Sequence, residues 1–314
     1  MKLLQNIKYI LSPIYHSLMY PKKAFRYRKI MENPKQYVGK IYYAMNQRDL
    51  NWEHPSDLNE IINWLKIYGD TEQWPLYADK YRVREYVKSK GLDNMLVPMI
   101  GVWKHVWNIP WSKLPNQFVI KPNNGSANVV ICKDKRTLNK AKLYSSGLIQ
   151  EHRKYGYANY EPHYMQIKPY VMVEKLMDAT KQAVPSTSLI DYKIYCINGE
   201  PKYVWVVTNR TVSSCETSIY DLEWCSHNEY LKESPHYHIS KIEVPKPRTL
   251  DTMIDAAKRL SAGMPFVRVD LYEVDGHAYF GEMTMTPAGG FIDFHTNEFL
   301  QALGKEVRLQ NERD

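Results

Sequence analysis

The strongest constraint on the fold is a hairpin pattern close to the C-terminal end of the chain. Residues 266–274 and 277–285 are two runs rich in β-branched and aromatic side chains, separated by the dipeptide Asp275-Gly276. Such runs are typical of strands, and Asp-Gly between them is typical of a tight turn between antiparallel neighbours. The pattern therefore predicts an antiparallel hairpin.

Polar residues alternate along both predicted strands. Because successive side chains of a strand point to opposite faces, Arg268 and Asp270 share one face, and so do Glu282 and Thr284. Cross-strand partners have residue numbers with a constant sum, and all four side chains share a face only if that sum is even. A two-residue turn would give 551, whereas a three-residue loop, Val274-Asp275-Gly276, would give 550. We therefore predict the three-residue loop or an equivalent bulge.

A face with two carboxylates and a hydroxyl suits a hard cation. Mg²⁺ prefers oxygen ligands and is commonly held by one or two carboxylates together with substrate phosphates. Asp270, Glu282 and Thr284 could supply such ligands, and the guanidinium of Arg268 suits a phosphate. The alternative is a solvent-facing side of the hairpin with mixed charge, which is the usual meaning of such alternation.

A second pattern is F-V-I-K-P-N-N-G-S-A-N-V-V-I, which starts at Phe118. It predicts strands at 118–120 and 129–131 around a polar loop, 122–128. Backbone N–H groups of the loop, with Lys121 at the end of the first strand, could cover a polyphosphate. The alternative is an ordinary hairpin loop.

A third pattern is V-M-V-E-K-L, an apolar strand at 171–173 that runs into Glu174-Lys175. Its backbone could meet a purine edge and its carboxylate a ribose, although a salt-bridged strand end is the simpler interpretation. The chain has neither G-x-x-x-x-G-K-[ST] nor G-x-G-x-x-G after a strand. P-loop and Rossmann enzymes are therefore not expected.

The rest of the chain mixes helices with further strands. Helices are predicted in the region 1–75, with a start at 56–60, and at 79–89 and 249–262. Strands are predicted at 193–197 and 203–207, joined by the turn dipeptide Asn198-Gly199. This order predicts an α+β fold rather than a doubly wound parallel sheet.

The positive charge is concentrated in a leader. The net charge is +8, and residues 1–30 contain seven Lys or Arg and no acid, which leaves about +1 for the other residues. A nucleic-acid partner is not expected, because such proteins carry a basic patch on the fold. The leader lacks a secretory cleavage site and is too polar to span a bilayer. It predicts either contact with an anionic membrane face or a basic helix packed on the body.

The four cysteines, Cys132, Cys196, Cys215 and Cys225, form no C-x-x-C pair. Reduced, buried thiols in a cytoplasmic protein are the favoured interpretation. The His236-Tyr237-His238 cluster has no matching ligand spacing, so a zinc site is not expected.

Taken in order, these patterns resemble the ATP-grasp superfamily, and most closely the teichuronopeptide-type, TupA-like ATP-grasp family of polysaccharide gene clusters. The resemblance covers roughly residues 55–305 and lies in five stretches: Y-A-D-K-Y-R-V-R-E-Y-V (77–87), L-P-N-Q-F-V-I-K-P-N-N-G-S (114–126), D-Y-K-I-Y-C-I-N-G (191–199), P-F-V-R-V-D-L-Y (265–272) and Y-F-G-E-M-T-M-T-P (279–287).

The resemblance implies a fold of two α+β lobes that clamp ATP, with Mg²⁺ as the second cofactor. The implied division is a helical N-terminal region with the basic leader, 1–75, and an ATP-grasp domain, 76–314. Within that domain, the small nucleotide lobe covers about 115–175 and the metal-binding lobe about 176–314.

The resemblance also implies residue roles. Those that bind nucleotide are Lys121 on the α- and β-phosphates, Asn124, Gly125 and Ser126 over the β- and γ-phosphates, and Glu174, Lys175 and Leu176 at the adenine and ribose. The magnesium ligands are Asp270 and Glu282, with Thr284 where the superfamily usually has Asn. Arg268, Lys193 and Lys121 are the catalytic cations, and Lys80 and Arg84 are candidates for a substrate or phosphate contact. The loop has one Gly, which makes it stiffer than Gly-rich versions.

The implied activity is an ATP-dependent carboxylate–amine ligase that forms an amide through an acyl phosphate, on a uronic-acid saccharide or an amino acid. A sugar or polyol kinase is the first alternative, because the same site could phosphorylate a hydroxyl. A glycosyltransferase is a further alternative, although the chain has no D-x-D motif, and a non-catalytic binding protein is the last. Tyr155, Tyr157, Tyr160 and Tyr164 are either a saccharide platform or packing residues.

Overall fold

The computed structural model describes residues 27–125, 128–140, 143 and 156–309 of the chain. The first 26 residues, which hold most of the basic leader, lie outside this part. So do the predicted loop residue Ser126 and the predicted platform residue Tyr155.

The helices of the described part are short. In chain order they are α1 (Pro34–Asn46), α2 (Leu58–Tyr68), α3 (Trp74–Ala78), α4 (Val83–Ser89), α5 (Pro162–Gln166), α6 (Leu250–Ser261) and α7 (Asn297–Glu306).

The strands form two sheets. Their bounds are β1 (Met99–Trp103), β2 (Phe118–Pro122), β3 (Val130–Cys132), β4 (Val171–Lys175), β5 (Asp191–Ile197), β6 (Glu200–Thr208), β7 (Cys215–Tyr220), β8 (Tyr237–Ile239), β9 (Phe266–Val274) and β10 (His277–Thr284). The smaller sheet has the order β1-β4-β2-β3 and the larger sheet the order β10-β9-β5-β6-β7-β8. Neighbouring strands are antiparallel except β7 and β8, which are parallel. The predicted α+β class is confirmed.

Two separate cores hold the sheets. The larger core packs α2, α6 and α7 against the larger sheet, and the smaller core is formed by the smaller sheet and the segment 106–114. Helix α6 buries Leu250, Met253, Ala257 and Leu260, as its amphipathic pattern predicts.

The predicted start of α2 is confirmed. The side chain of Asp57 accepts a hydrogen bond from the backbone N–H of Glu60 at 3.0 Å, and the Glu60 carboxylate accepts one from Ser56 N at 2.8 Å. These bonds satisfy N–H groups that have no partner inside the helix. The helix predicted at 79–89 begins later, at Val83, because the side chain of Asp79 accepts from two N–H groups of the preceding turn.

The predicted hairpins are present, but one turn differs. The β9–β10 turn has two residues, Asp275 and Gly276, with φ values of 58° and 69°. His277 pairs with Val274, so the predicted three-residue loop is wrong. Positive φ at both turn residues matches the right-handed twist of the flanking strands, which favours this shorter turn.

A bulge restores the predicted shared face. The register shifts by one residue at Gly281, so that Glu282 pairs with Asp270 and Thr284 pairs with Arg268. The sum of partner numbers is then 552, which is even. The equivalent bulge that the alternation demanded is therefore confirmed, and the four polar side chains lie on one face of the larger sheet.

Candidate active site

A row of alternating charges crosses the larger sheet. Neighbouring members are in ion-pair contact, in the order Arg210, Asp191, Lys193, Asp270, Arg268, Glu282 and Lys80. Four cations and three carboxylates leave one net positive charge in the row. Because charge-assisted hydrogen bonds to phosphate oxygens are strong, such a row suits a ligand with several negative charges.

Asp270 lies at the centre of the row and is 1% exposed. Its carboxylate accepts hydrogen bonds from Arg268 Nε at 2.6 Å and Nη2 at 2.8 Å, and it contacts the ammonium of Lys193. Strand β5 places Lys193 directly opposite Asp270. Burial alone would lower the pKa of Arg268, but Asp270 outweighs it and raises that pKa, so the guanidinium stays charged.

Glu282 joins the row to Lys80, in the turn before α4. Its Oε2 atom lies 2.8 Å from Lys80 Nζ and its Oε1 atom 3.8 Å from Arg268 Nη2. Burial alone would raise the pKa of this carboxyl, but the charges of Lys80, Lys193 and Arg268 lower the pKa well below its usual range. Thr284 stands beside it, and its hydroxyl accepts from Arg268 Nη2 at 3.3 Å. Glu282 is therefore ionised at neutral pH.

The opposite end of the row is open. Asp191 precedes Lys193 by two residues on β5, and its Oδ1 atom lies 3.6 Å from Lys193 Nζ. Its Oδ2 atom accepts from Arg210 Nη2 at 2.7 Å. The side chain of Arg210 is 41% exposed, so the row ends in a cation that a substrate can reach.

Aromatic residues flank the row on the same face of the larger sheet. The guanidinium of Arg268 lies 5.9 Å from the ring centre of Trp205, and Tyr195 pairs with Arg268 across β5 and β9. The hydroxyl of Tyr195 is 2.8 Å from His295 Nε2. Burial, with the charges of Arg268 and Lys232, lowers the pKa of His295 to about 3. His295 is therefore neutral and adds no second positive charge beside Arg268, whose guanidinium is paired with Asp270.

The predicted hinge residues lie on the smaller sheet. Lys121 Nζ is 2.7 Å from Glu174 Oε2, across the neighbouring strands β2 and β4, and Arg84 Nη1 is 3.5 Å from Glu174 Oε1. Glu174 is buried, Lys175 is exposed and Leu176 is partly exposed. This cluster brings two cations together at the Glu174 carboxylate.

The loop predicted at 122–128, called the phosphate loop, is described at residues 122–125 and 128. Asn124 is buried, and Gly125 has a φ of 77°. The carbonyl of Gly125 accepts a hydrogen bond from Lys80 Nζ at 2.7 Å. Because Lys80 also contacts Glu282, this one lysine connects the phosphate loop of the smaller sheet to the carboxylate face of the larger sheet.

Buried charges hold the loop that follows β10. Lys66 Nζ donates to the carbonyls of Asn159 and Gly289, both at 2.8 Å, and Thr286 Oγ1 donates to Glu161 Oε1 at 2.7 Å. Burial lowers the pKa of Lys66 to about 7 and raises the pKa of Glu161. The segment after the carboxylate strand is therefore fixed from two sides.

The donor set fits a magnesium nucleotide. Within the ranges that the structure describes, no group of three or more His, Cys, Asp or Glu side chains gathers to hold a metal. The face instead offers the carboxylates of Asp270 and Glu282 with the hydroxyl of Thr284. Two carboxylates completed by phosphate oxygens and water suit Mg²⁺, and the lysines Lys80, Lys121 and Lys193 suit the phosphates.

The predicted site residues fall into two groups. Asp270, Glu282, Thr284, Arg268 and Lys193 meet on the larger sheet, whereas Lys121, Glu174, Lys175 and Leu176 lie on or directly after strands of the smaller sheet. Lys80 and Gly125 lie between the groups. The structure adds Asp191, which its two-residue spacing from Lys193 could have revealed, and Arg210, which has no signal in the sequence.

The predicted tyrosine platform is made of packing residues where the structure describes it. Tyr164 belongs to the larger core and is 7% exposed, and Tyr160 packs against a small core around Tyr42. Tyr157 stacks on Tyr27 with ring centres 4.3 Å apart. Of the two interpretations, packing is the one that these contacts favour.

The cysteine prediction holds in part. Cys132, Cys196 and Cys215 are buried free thiols, but Cys225 is exposed.

None of the helices in the described part of the chain combines the length and apolarity that a membrane crossing requires.

Comparison with known proteins identifies the family. The sequence model of the TupA-like ATP-grasp family matches residues 60–308. A search among curated proteins found no match. Solved structures with some likeness include D-alanine–D-alanine ligase from Bacillus anthracis, at 17% identity and a TM-score of 0.41 over 73% of this chain and 63% of that one.

Two further ligases have similar TM-scores and lower sequence identity. D-alanine–D-alanine ligase from Helicobacter pylori is 14% identical, with a TM-score of 0.40 over 80% of this chain and 67% of that one. The ATP-grasp ligase PsnB, in complex with a variant precursor, Mg and ADP, is 12% identical, with a TM-score of 0.40 over 80% and 66%. The chain thus spans just under two thirds of the first of these ligases, and their substrates are not transferred to it.

The match to the family model over residues 60–308 identifies the chain as an ATP-grasp protein. Within that class, the chain belongs to the TupA-like ATP-grasp family, whose model covers most of its length.

Proposed function

We propose that the protein is an ATP-dependent carboxylate–amine ligase. The observation that carries this proposal is the row of seven alternating charges, with Lys80 connecting it to the phosphate loop. ATP would lie in the cleft between the sheets, with its phosphates over the row. The carboxylate substrate would then meet the γ-phosphate near the middle of the row, and Arg210 at the open end could receive further negative charge.

The proposed chemistry has two steps. A carboxylate oxygen attacks the γ-phosphorus, the bond to the β–γ bridging oxygen breaks, and ADP leaves. The nitrogen of an amine then attacks the carbonyl carbon of the acyl phosphate, the nitrogen loses a proton, and inorganic phosphate leaves. Neither step needs a protein nucleophile, so the lack of a Ser-His or Cys-His pair in the row is compatible with it.

The cations of the row supply electrostatic stabilisation. Lys193 and Arg268 both contact Asp270, so they would face the transferred phosphoryl group from one side. Lys121 would contact the phosphates from the smaller sheet, and Lys80 would contact them from the turn before α4. Asp270, Glu282 and Thr284 would hold Mg²⁺, which, when bound, neutralises charge on the phosphate oxygens.

The finer identity of the substrates rests on the family. We propose a uronic-acid-containing saccharide or its precursor as the carboxylate and an amino acid as the amine, in the synthesis of a surface polysaccharide. The reaction would take place in the cytoplasm, and the basic leader could keep the protein near an anionic membrane face. The family assignment supports this context, and no contact in the described residues specifies a sugar.

The test measures ADP release from MgATP by the full chain. Uronic-acid saccharides are crossed with an amino-acid panel, and Glu282→Ala is assayed beside the wild-type protein. ADP release that needs both a carboxylate and an amine, and that the variant loses, supports the ligase. Glu298→Ala, which removes an exposed carboxylate in the first turn of α7, is the matched control and should retain activity.

Two other outcomes would give a different function. ADP release with a saccharide alone, accompanied by a phosphorylated sugar, would show a kinase. If the wild-type protein neither binds nor hydrolyses ATP, the proposed nucleotide site is wrong, whatever the fold of the protein.

A further inference from the structure

Asn123, at the base of the phosphate loop, uses every polar atom it has. Its side-chain Nδ2 donates to Asp79 Oδ1 at 2.9 Å and to the carbonyl of Lys168 at 3.0 Å, and its Oδ1 accepts from Tyr170 N at 2.7 Å. Its backbone N donates to the carbonyl of Tyr170 at 3.0 Å, and its carbonyl accepts from Lys80 N at 2.8 Å. The residue is fully buried.

These five bonds connect three parts of the cleft. One is the phosphate loop itself, and another is the 168–170 segment that leads into the hinge strand β4. The third is the turn at Asp79 and Lys80, whose lysine reaches Gly125 and Glu282. A buried amide whose hydrogen bonds are all made fixes its neighbours strongly, because breaking any bond leaves a polar group without a partner.

We infer that Asn123 is a positioning residue for nucleotide binding, which locks Lys80 and the phosphate loop into one unit. Lys80 is then presented to the phosphates by the same rigid base that holds the loop. Opening of the cleft would break the contact of Lys80 with Glu282 and preserve its contact with Gly125. The inference rests on the proposed nucleotide site and adds to it a residue that itself need not touch the nucleotide.

The partner of Asn123 supports this role. The Oδ1 atom of Asp79 accepts from Asn123 Nδ2 and also from the backbone N–H groups of Tyr81 and Arg82, at 2.9 and 3.2 Å. Asp79 is 2% exposed, and its single carboxylate thus shapes the turn that carries Lys80 while it holds the loop. A change at either residue should alter where the ammonium of Lys80 lies.

The experiment is a double-mutant cycle on MgADP affinity, measured by calorimetry with the full chain. We expect Asn123→Ala and Lys80→Met each to weaken binding by roughly tenfold. If Asn123 acts by placing Lys80, its substitution should cost about threefold or less when Lys80 is already Met. Additive effects of the two changes, or a change of less than about twofold from Asn123→Ala alone, would overturn the inference.

A second pair of variants tests the inference if Asn123→Ala folds poorly. Asn123→Asp keeps the acceptor for Tyr170 N but sets a second carboxylate against Asp79, which should abolish MgADP binding at calorimetric concentrations. Adding Asp79→Asn removes the repulsion between the two carboxylate charges, so binding should partly return. If binding does not return in the double variant, the proposed contact does not act on the nucleotide site.

The matched control is Asn59→Ala. Asn59 is also buried and bonds with both the N–H and the carbonyl of Ile292, at 2.8 and 2.9 Å. The variant should lower the melting temperature and leave MgADP affinity unchanged. If it loses as much affinity as Asn123→Ala, then Asn123 contributes only to the overall stability of the protein. A wild-type protein that binds no MgADP would instead overturn the proposed function and, with it, this inference.

Discussion

At the residue scale, Lys193 contacts two carboxylates of the row, Asp191 and Asp270. It is 6% exposed, and its neighbours on both sides are negative. A fixed cation at this point favours charge that develops during phosphoryl transfer more than charge that is already present on bound ATP.

Lys193→Met should therefore lower kcat by about 10²-fold and leave the KM for ATP nearly unchanged. The measurement is the initial rate of ADP release with the substrate pair that is active in the wild-type protein. The control is Lys202→Met on the neighbouring strand β6, where the lysine pairs with Glu306 and is 35% exposed. A kcat within twofold of wild type for Lys193→Met would contradict its catalytic role.

The lowered pKa of Lys66 predicts how the free energy of unfolding depends on pH. Burial lowers its pKa to about 7 in the folded protein, whereas a lysine in the unfolded chain has a pKa of about 10.4. Between these values the unfolded state binds the proton that the folded state has released, so stability should rise with pH, by up to about 1.4 kcal/mol for each pH unit. Below about pH 7 both states are protonated, and the contribution is constant.

The measurement is the free energy of unfolding by denaturant at pH 6, 7, 8 and 9. The wild-type protein should gain stability above pH 7 relative to Lys66→Met, which has no titrating group at this position. Lys305→Met, which changes an exposed lysine near the end of α7, should follow the wild-type curve. Parallel curves for the wild-type protein and Lys66→Met would show that Lys66 does not titrate in this range.

At the element scale, the β9–β10 hairpin depends on one glycine. A Cβ atom at Gly281 would lie 2.8 Å from a ring carbon of Tyr272 and 2.9 Å from the carbonyl oxygen of Asp270. Both distances are too short for carbon, so the bulge needs a residue without a side chain. The bulge in turn places Glu282 on the same face as Asp270.

Gly281→Ala should destabilise the protein by about 1–3 kcal/mol, because the ring and the strand must shift. It should also weaken MgADP binding, because the shift moves Glu282. The control is Gly276→Ala, where a Cβ atom meets nothing within 4 Å and only the positive φ of 69° opposes it. That variant should lose about 1–2 kcal/mol through backbone strain and bind MgADP normally.

The comparison uses thermal unfolding and MgADP calorimetry on both glycine variants. Equal stability losses with different affinities would assign the affinity change to the register of the hairpin. If the two variants bind MgADP alike, the bulge does not set the carboxylate face.

At the scale of the whole molecule, Lys80 connects two sheets that have separate cores. The lysine belongs to the turn before α4, yet it bonds with the phosphate loop of one sheet and with Glu282 of the other. A ligand that carries phosphates would lie where these groups meet, so nucleotide binding and closure of the cleft should be coupled.

At the same scale, the basic leader has two predicted roles, contact with an anionic membrane face and packing on the body, and the first can be tested directly. Each Lys or Arg near an anionic surface contributes about 1 kcal/mol. The wild-type protein should therefore sediment with phosphatidylserine vesicles at low salt, and the triple variant Lys22→Glu, Lys23→Glu, Arg26→Glu should stay in the supernatant. Sedimentation should also decrease at high salt.

The control carries the same change of charge on the body, as Lys104→Glu, Lys113→Glu and Lys133→Glu, three exposed lysines. It should sediment like the wild-type protein. Equal loss in both triple variants would mean that only net charge matters, and a wild-type protein that never sediments would leave the leader without a membrane role.

The sequence by itself determined the elements and the chemical character of the site. Strand alternation showed that Arg268 and Asp270 share a face. Glu282 could share that face only if the numbers of cross-strand partners had an even sum, which requires a bulge or a three-residue loop. The turn residues and the Asp57 cap were also readable, because turns and caps depend on a few neighbouring residues. The three-residue loop predicted at the turn was wrong, because a longer loop and a bulge both make the sum of partner numbers even, and the pattern cannot distinguish them.

Only the tertiary structure decided which groups meet. Lys80 and Glu282 are about two hundred residues apart in the chain, and Arg210 reaches Asp191 from the loop after β6. No periodicity encodes such contacts, because they depend on how strands are ordered in a sheet and on how two sheets face each other. The role of Asn123 follows for the same reason: its amide is one polar side chain in the sequence, and its five bonds exist only when three distant segments are packed together.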